Sequence, residues 1–189
     1  GAKLILADIN KNLLEKVSKD LKQDFFHVDV ASSSSMQNLS EYVLKKYGSI
    51  DIMVNNAGIT HLPKPLEEVS EEEFDKVFAV NSKSVFLCGK FFVPHMKKQK
   101  KGSILNISST AGISPRPNLN WYNATKGWMI TATKAMAVEL APFNVRVNSL
   151  APVAGETPLL KSFLGEDTPE RRKAFLSTIP IGRFSTPKD

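Results

Sequence analysis

Cysteine is almost absent. Cys88 is the single one in 189 residues, so no disulfide can form within the chain, and a reducing cytoplasm is the expected setting. Long apolar runs are missing too: none approaches the roughly 20 residues that span a bilayer. The opening stretch, residues 1–8, is too short for the apolar segment of a secretion signal. Repeats, low-complexity linkers and composition breaks are lacking, so the chain reads as one domain over 1–189. Histidine is scarce, and His27, His61 and His95 have no ligand spacing, so no metal site is expected. The net charge of +6 raises the question of nucleic acid. Aromatic residues, however, do not interleave with the densest basic run, Lys97, Lys98, Lys100 and Lys101, as base stacking requires. That run reads as a solvated helix end whose lysines complement the helix dipole, and neither nucleic acid nor membrane is expected as a partner.

What remains is an ordinary globular balance of 42% hydrophobic and 23% charged residues. Short β-rich apolar runs stand at 4–7, 25–28, 50–54, 103–107 and 145–148. Between them lie helical patterns at 10–21, 34–47, 70–98 and 118–140, each with an apolar stripe. Strands alternating with helices predict an α/β fold, a doubly wound, mostly parallel sheet with helices on both faces. Ser70 ahead of Glu71-Glu72-Glu73 is an N-cap signature with Glu73 in capping-box position. The region 150–185 differs, with Pro152, Gly155, Pro158, Gly165, Pro169 and Pro180 around two short amphipathic pieces. Irregular structure after a strand end in such a sheet lies where ligands bind, so 150–185 reads as a substrate lid.

Tyr122 and Lys126 stand at i and i+4, on one helix face. A tyrosine of ordinary pKa near 10 is a poor base at neutral pH, but a neighbouring ammonium favours its phenolate. The pair can therefore exchange a proton with a carbonyl or alcohol oxygen. Alone the spacing is weak; the neighbours strengthen it. The strand 103–107 ends in Ser108-Ser109, at the carboxyl edge where open α/β sheets bind ligands. The strand 50–54 ends in Asn55-Asn56-Ala57-Gly58, two amides and a flexible turn. Asn81 interrupts the apolar stripe of its helix. Asp8 ends the first strand, where an acid would accept the ribose 2′-hydroxyl of a dinucleotide, or else cap the helix that follows. Trp121 is a candidate for the pocket wall, Trp128 for core or interface, and Cys88 for a buried small hydrophobe.

Together Asn55-Asn56-Ala57-Gly58, Asn81, Ser109, Tyr122-Asn123-Ala124-Thr125-Lys126, and Arg146-Val147-Asn148 followed by Pro152 resemble the short-chain dehydrogenase/reductase family, in its glucose-dehydrogenase-like or 3-oxoacyl-carrier-protein-reductase-like subgroup. The resemblance implies a Rossmann-like domain that transfers hydride between a nicotinamide and a secondary alcohol or ketone. It implies Tyr122 as general acid/base, with Ser109 bonded to the substrate oxygen. Lys126 would lower the tyrosine pKa and hold the nicotinamide ribose, and Asn81 would hold a relay water. Asn55, Ala57 and Gly58 would shape the adenosine side, with Asp29 and Val30 beside the adenine. Pro152 to Thr157 would wrap the nicotinamide. Asp8, with no arginine after it, favours NAD over NADP. A homodimer or homotetramer through 70–98 and 118–140 is implied as well.

The sequence departs from that pattern in places. The family's glycine-rich phosphate loop should lie about 20 residues before the ribose-binding acid, yet only seven residues precede Asp8. The expectation is a sheet incomplete at both ends, poor dinucleotide affinity and poor folding for the 189 residues alone. Val153 stands where many members have glycine. Two other functions stay open: an NADPH-using 3-oxoacyl-carrier-protein reductase, and a non-catalytic scaffold that kept the fold.

Overall fold

The computed structural model describes residues 2–186 and 188–189. The chain alternates strand and helix through β1 (Ile5–Asp8), α1 (Lys11–Leu21), β2 (Asp24–His27), α2 (Ser33–Tyr47) and β3 (Ile52–Asn55). It continues through α3 (Glu71–Phe78), α4 (Ser84–Gln99), β4 (Gly102–Ile107), α5 (Asn120–Leu140) and β5 (Val145–Leu150). Two short helices follow, α6 (Leu159–Leu164) and α7 (Pro169–Leu176). Every strand pairing is parallel: β1 with β2, β3 with β4, and β4 with β5. This is the Rossmann-like α/β class that the alternation predicts.

The pairing falls into two sheets, β1-β2 and β3-β4-β5, so β1 and β3 each pair on one side only. Ile52 and Val54 on β3 are exposed. Helix α4 joins the two halves: its Leu87, Cys88 and Phe92 pack with Val28, Met36, Leu39 and Val43. One turn on, its Val93 and Met96 pack with Ile104, Leu140, Val145 and Val147. Cys88 is thus a core residue, and burial pushes its thiol pKa up to about 12.

Local chemistry explains most element ends. The Ser70 hydroxyl accepts from Glu73 N at 3.2 Å while the Glu73 carboxylate accepts from Ser70 N at 3.0 Å, closing the expected capping box. Lys64 binds the same carboxylate at 2.9 Å, and the two interactions hold Glu73 down to about 2. The basic run lies at the end of α4, where Lys97 pairs with Glu139 and Lys101 with Asp51. Asn10, not Asp8, caps α1, its side chain accepting from Leu13 N at 3.1 Å.

Two helix expectations change. The span 70–98 is helical throughout from Glu71 to Gln99, but a π-helical turn, Ala79–Lys83, interrupts its α pattern between α3 and α4, and Asn81 and Ser82 on that turn are buried. The span 118–140 begins at Asn120, because Asn118 is left-handed at φ 65 and gives its carbonyl to Lys64 N. Across the sheet, Asn55 Nδ2 donates to Asn106 Oδ1 at 2.8 Å and Asn106 Nδ2 donates to Thr133 Oγ1 at 2.8 Å. This buried amide chain links β3 and β4 to α5, and a buried amide needs such partners.

Candidate active site

Strands β3 and β4 and the start of α5 bring the reactive residues together. Strand β4 ends at Ile107, and Ser108 is held by its own N–H to Leu150 O at 2.8 Å. The Ser108 hydroxyl donates to the Lys126 carbonyl at 2.8 Å, fastening the strand end to α5. Ser109 then caps a single 3-10 turn, Thr110–Gly112, accepting from Ala111 N at 3.1 Å. That turn lies directly on α5. A Cβ on Gly112 would stand 2.6 Å from the Lys126 carbonyl carbon and 2.7 Å from the Gly127 nitrogen, so only glycine fits the approach.

Tyr122 and Lys126 share one face of α5, both buried. The Lys126 ammonium donates to Ile107 O at 2.8 Å and lies 5.8 Å from the centre of the Tyr122 ring. No carboxylate pairs with it among the described residues. Burial without a counter-charge lowers its pKa to about 8. For Tyr122 the direction differs from the expectation that Lys126 lowers its pKa. Burial raises it, because the phenolate loses more hydration than the Ser109 hydroxyl, which pulls the other way, restores.

Asn81 is fully buried, and its amide is committed within the protein. Its Oδ1 accepts from Ile59 N at 2.8 Å, and its Nδ2 donates to Ile59 O at 2.9 Å and Thr125 Oγ1 at 3.0 Å. The side chain is therefore a strut between the loop after β3 and α5. Gly58 lies between these groups: a Cβ there would be 3.3 Å from Lys126 Nζ and 3.5 Å from Asn81 Oδ1.

A cavity of about 450 Å³ opens over these groups. Asp8, Asn56, Ala57, Gly58, Ser109, Tyr122, Lys126, Pro152 and Thr157 all line it. Asn55, Asp29 and Val30 do not. Asn55 turns to Asn106, Asp29 accepts from Ala31 N at 2.9 Å in the turn before α2, and Val30 packs on the core beside Val28 and Met36. Trp121 also points elsewhere, edge-on to Phe74 of α3 at 5.4 Å, because neighbouring helix residues face about 100° apart. The aromatic wall comes instead from the 150–185 segment: Phe163 stands 5.2 Å from the Tyr122 ring, and Phe175 lies farther along. Arg116, from the connection into α5, completes the lining. Neither periodicity nor motif spacing marks Phe163, Phe175 or Arg116, since distant segments bring them to the site.

The residues present fit a nicotinamide dinucleotide in two respects. An ammonium carries three donors, and Lys126 uses one on Ile107 O among the described residues, leaving donors for ribose hydroxyls. Asp8 presents an exposed carboxylate at the cavity edge, steadied by Asn10 N at 2.7 Å. Among the described residues, no group of three or more His, Cys, Asp or Glu could hold a metal ion.

Comparison with known proteins extends these observations. A family model described as Enoyl-(Acyl carrier protein) reductase matches residues 1–189. The chain is 43% identical over 162 residues to the 4-formylbenzenesulfonate dehydrogenase of Comamonas testosteroni, covering 85% of this chain and 64% of that protein. It is 41% identical over 195 residues to the 3-oxoacyl-(acyl-carrier-protein) reductase of Thermotoga maritima, covering 100% of this chain and 77% of that protein. The crystal structure of 3-ketoacyl-(acyl-carrier-protein) reductase from Brucella melitensis complexed with NADH superposes with a TM-score of 0.93 at 42% identity. That match covers 100% of this chain and 77% of the other.

Proposed function

The chain belongs to the short-chain dehydrogenase/reductase family, and on that premise we propose that it transfers hydride between a nicotinamide cofactor and a secondary alcohol or ketone. The observation that carries this reading is the meeting of Ser109, Tyr122 and Lys126 on one cavity wall at the carboxyl end of β4. When bound, the nicotinamide supplies or accepts the hydride. In reduction, the Tyr122 phenol gives its proton to the carbonyl oxygen as the carbon receives hydride, and in oxidation it takes that proton back. Ser109 donates a hydrogen bond to the same oxygen and orients it. The Lys126 ammonium holds ribose hydroxyls with the donors that Ile107 O leaves free. Asn81 keeps the loop carrying Gly58 against α5.

Asp8 supports NAD over NADP, since a carboxylate accepts ribose hydroxyls and repels a 2′-phosphate. Residues 150–185 act as the substrate cover over a single nucleotide-binding domain spanning 1–189. Exposed Phe86 on α4 and Val138 on α5 favour assembly into a homodimer or homotetramer.

The test is a screen of secondary alcohols and ketones with NAD(H) and NADP(H), on the wild type and Tyr122→Phe. Removing the general acid/base should lower kcat at least about 100-fold, and NAD should be preferred. Turnover that survives Tyr122→Phe unchanged would sink the mechanism and revive the scaffold reading. A second reading, a 3-oxoacyl-carrier-protein reductase, is favoured by the relatives from Thermotoga maritima and Brucella melitensis. Strong NADPH preference together with turnover of a carrier-bound 3-oxoacyl substrate would select it.

A further inference from the structure

Arg116 stands out among the arginines. Arg171, Arg172 and Arg183 each have a carboxylate partner within 4.0 Å, and Arg146 reaches Ser103 Oγ on the surface. Among the described residues Arg116 has neither a carboxylate nor a side-chain hydrogen-bond acceptor. Yet it is half-buried and lines the cavity that holds Ser109 and Tyr122. Its guanidinium lies over the Phe175 ring at 4.0 Å, the shortest cation-to-ring approach among the described residues. Stacking orients the planar fork while leaving its N–H donors unspent.

The backbone is set as firmly as the head group. Asn123, buried and next in sequence to Tyr122, donates from Nδ2 to Arg116 O at 2.7 Å, fixing the arginine relative to the start of α5. Phe163 and Leu119 line the same cavity with Phe175. The one acidic side chain in the lining is Asp8, at the end of β1. A half-buried cation without a counter-ion is costly, and burial accordingly lowers the Arg116 pKa.

We propose that Arg116 selects the substrate by binding an anionic group, a carboxylate or sulfonate, on a ring-bearing ketone or alcohol whose apolar body rests against Phe163 and Phe175. The arrangement rests on the hydride-transfer reading for what happens to the substrate, but not for how it is bound. Arg116 meets the anion with a two-pronged, charge-assisted pair of hydrogen bonds. Ser109 and Tyr122 meet the reacting oxygen at the other end. A neutral ring fills the aromatic wall equally well and leaves the guanidinium unpaired. The competing role for Arg116 is a structural clamp that holds α7 through Phe175 and discriminates between no substrates.

The experiment compares 4-acetylbenzoate and 4-acetylbenzenesulfonate with acetophenone on the wild type, Arg116→Met and Arg116→Lys. The readout is the ratio of kcat/KM for the anionic ketone to that for the neutral one. A charge-assisted pair is worth about tenfold or more in that ratio. The wild type should prefer both anionic ketones, Arg116→Met should lose at least about tenfold of the preference, mainly through KM, and Arg116→Lys should restore part of it. A variant that is merely less well folded lowers both rates together and leaves the ratio unchanged, and an unchanged ratio overturns the proposal. Calorimetry with benzoate and benzenesulfonate separates this proposal from the hydride reading. Binding that is lost in Arg116→Met keeps the anion site even if neither ketone is reduced. Equal binding in wild type and variant removes it.

Discussion

Lys126 is the residue on which pH acts most directly. Its ordinary pKa is lowered to about 8 by burial alone, with no carboxylate to stabilise the ammonium. Folding therefore favours the neutral amine, and the stabilisation this brings is complete above the ordinary value of 10.5 and gone below about 8. Activity should follow the charge in the opposite sense. Ketone reduction is expected to decline as pH rises through about 8, because the ammonium beside Tyr122 is lost. A pH profile of kcat/KM checks this, and Lys126→Arg, charged throughout the accessible range, should lack the decline; the same decline in that variant would remove Lys126 as its source. Single residues were legible in the sequence where their chemistry clashed with their surroundings. Asn81 in an apolar stripe and Ser109 at a strand end both lie in or against the site. Trp121 was not legible, because adjacency to Tyr122 along a helix turns a side chain to another face, where Phe74 receives it. Arg116 gave no local signal at all, since its meaning depends on Phe175, far along the chain.

At the scale of elements, strands and helices follow from period and capping chemistry, and the Ser70–Glu73 box appears as expected. The π turn at Ala79–Lys83 has no such signature: no proline or glycine marks it, and it goes with the burial of Asn81 against Ile59 and Thr125. Glycine in the turn after β4 carries a similar tertiary message. Because a Cβ at 112 would meet backbone rather than a movable side-chain tip, Gly112→Ala must push the turn away from α5. Overpacking of this kind costs roughly 1–3 kcal/mol, and the displaced turn takes Ser109 with it. Denaturant unfolding should register the loss of stability and steady-state kinetics a lower kcat. A variant as active and stable as the wild type would show that the turn does not set the position of Ser109.

For the whole molecule, the two sheets meet through α4, whose successive turns feed both apolar clusters. The alternation of strands and helices made the fold class legible, but the division of the pairing into β1-β2 and β3-β4-β5 is a matter of neighbours rather than pattern. Phe86 on α4 is 57% exposed and Val138 on α5 79% exposed, large apolar groups open to solvent on helices that otherwise build the core. Light scattering is expected to give two or four times the chain mass, with Val138→Glu shifting the protein toward smaller species; a monomeric wild type would end the assembly reading. Among the described residues no helix is long and apolar enough to cross a membrane. One small pairing has a larger consequence. Gly155 and Ser185 form an isolated parallel bridge, and Ser185 N donates to Ala154 O at 3.1 Å, so the excursion carrying Phe163 and Phe175 leaves and returns at almost the same point. It also has an apolar cluster of its own in Leu160, Leu164, Ile179 and Phe184. An insertion with adjoining ends can be lengthened, shortened or replaced without shifting the strands beneath it. On the proposed reading the molecule is thus divided for exchange, with the proton chemistry assigned to α5 and β4 and the choice of substrate assigned to a piece that can be swapped whole.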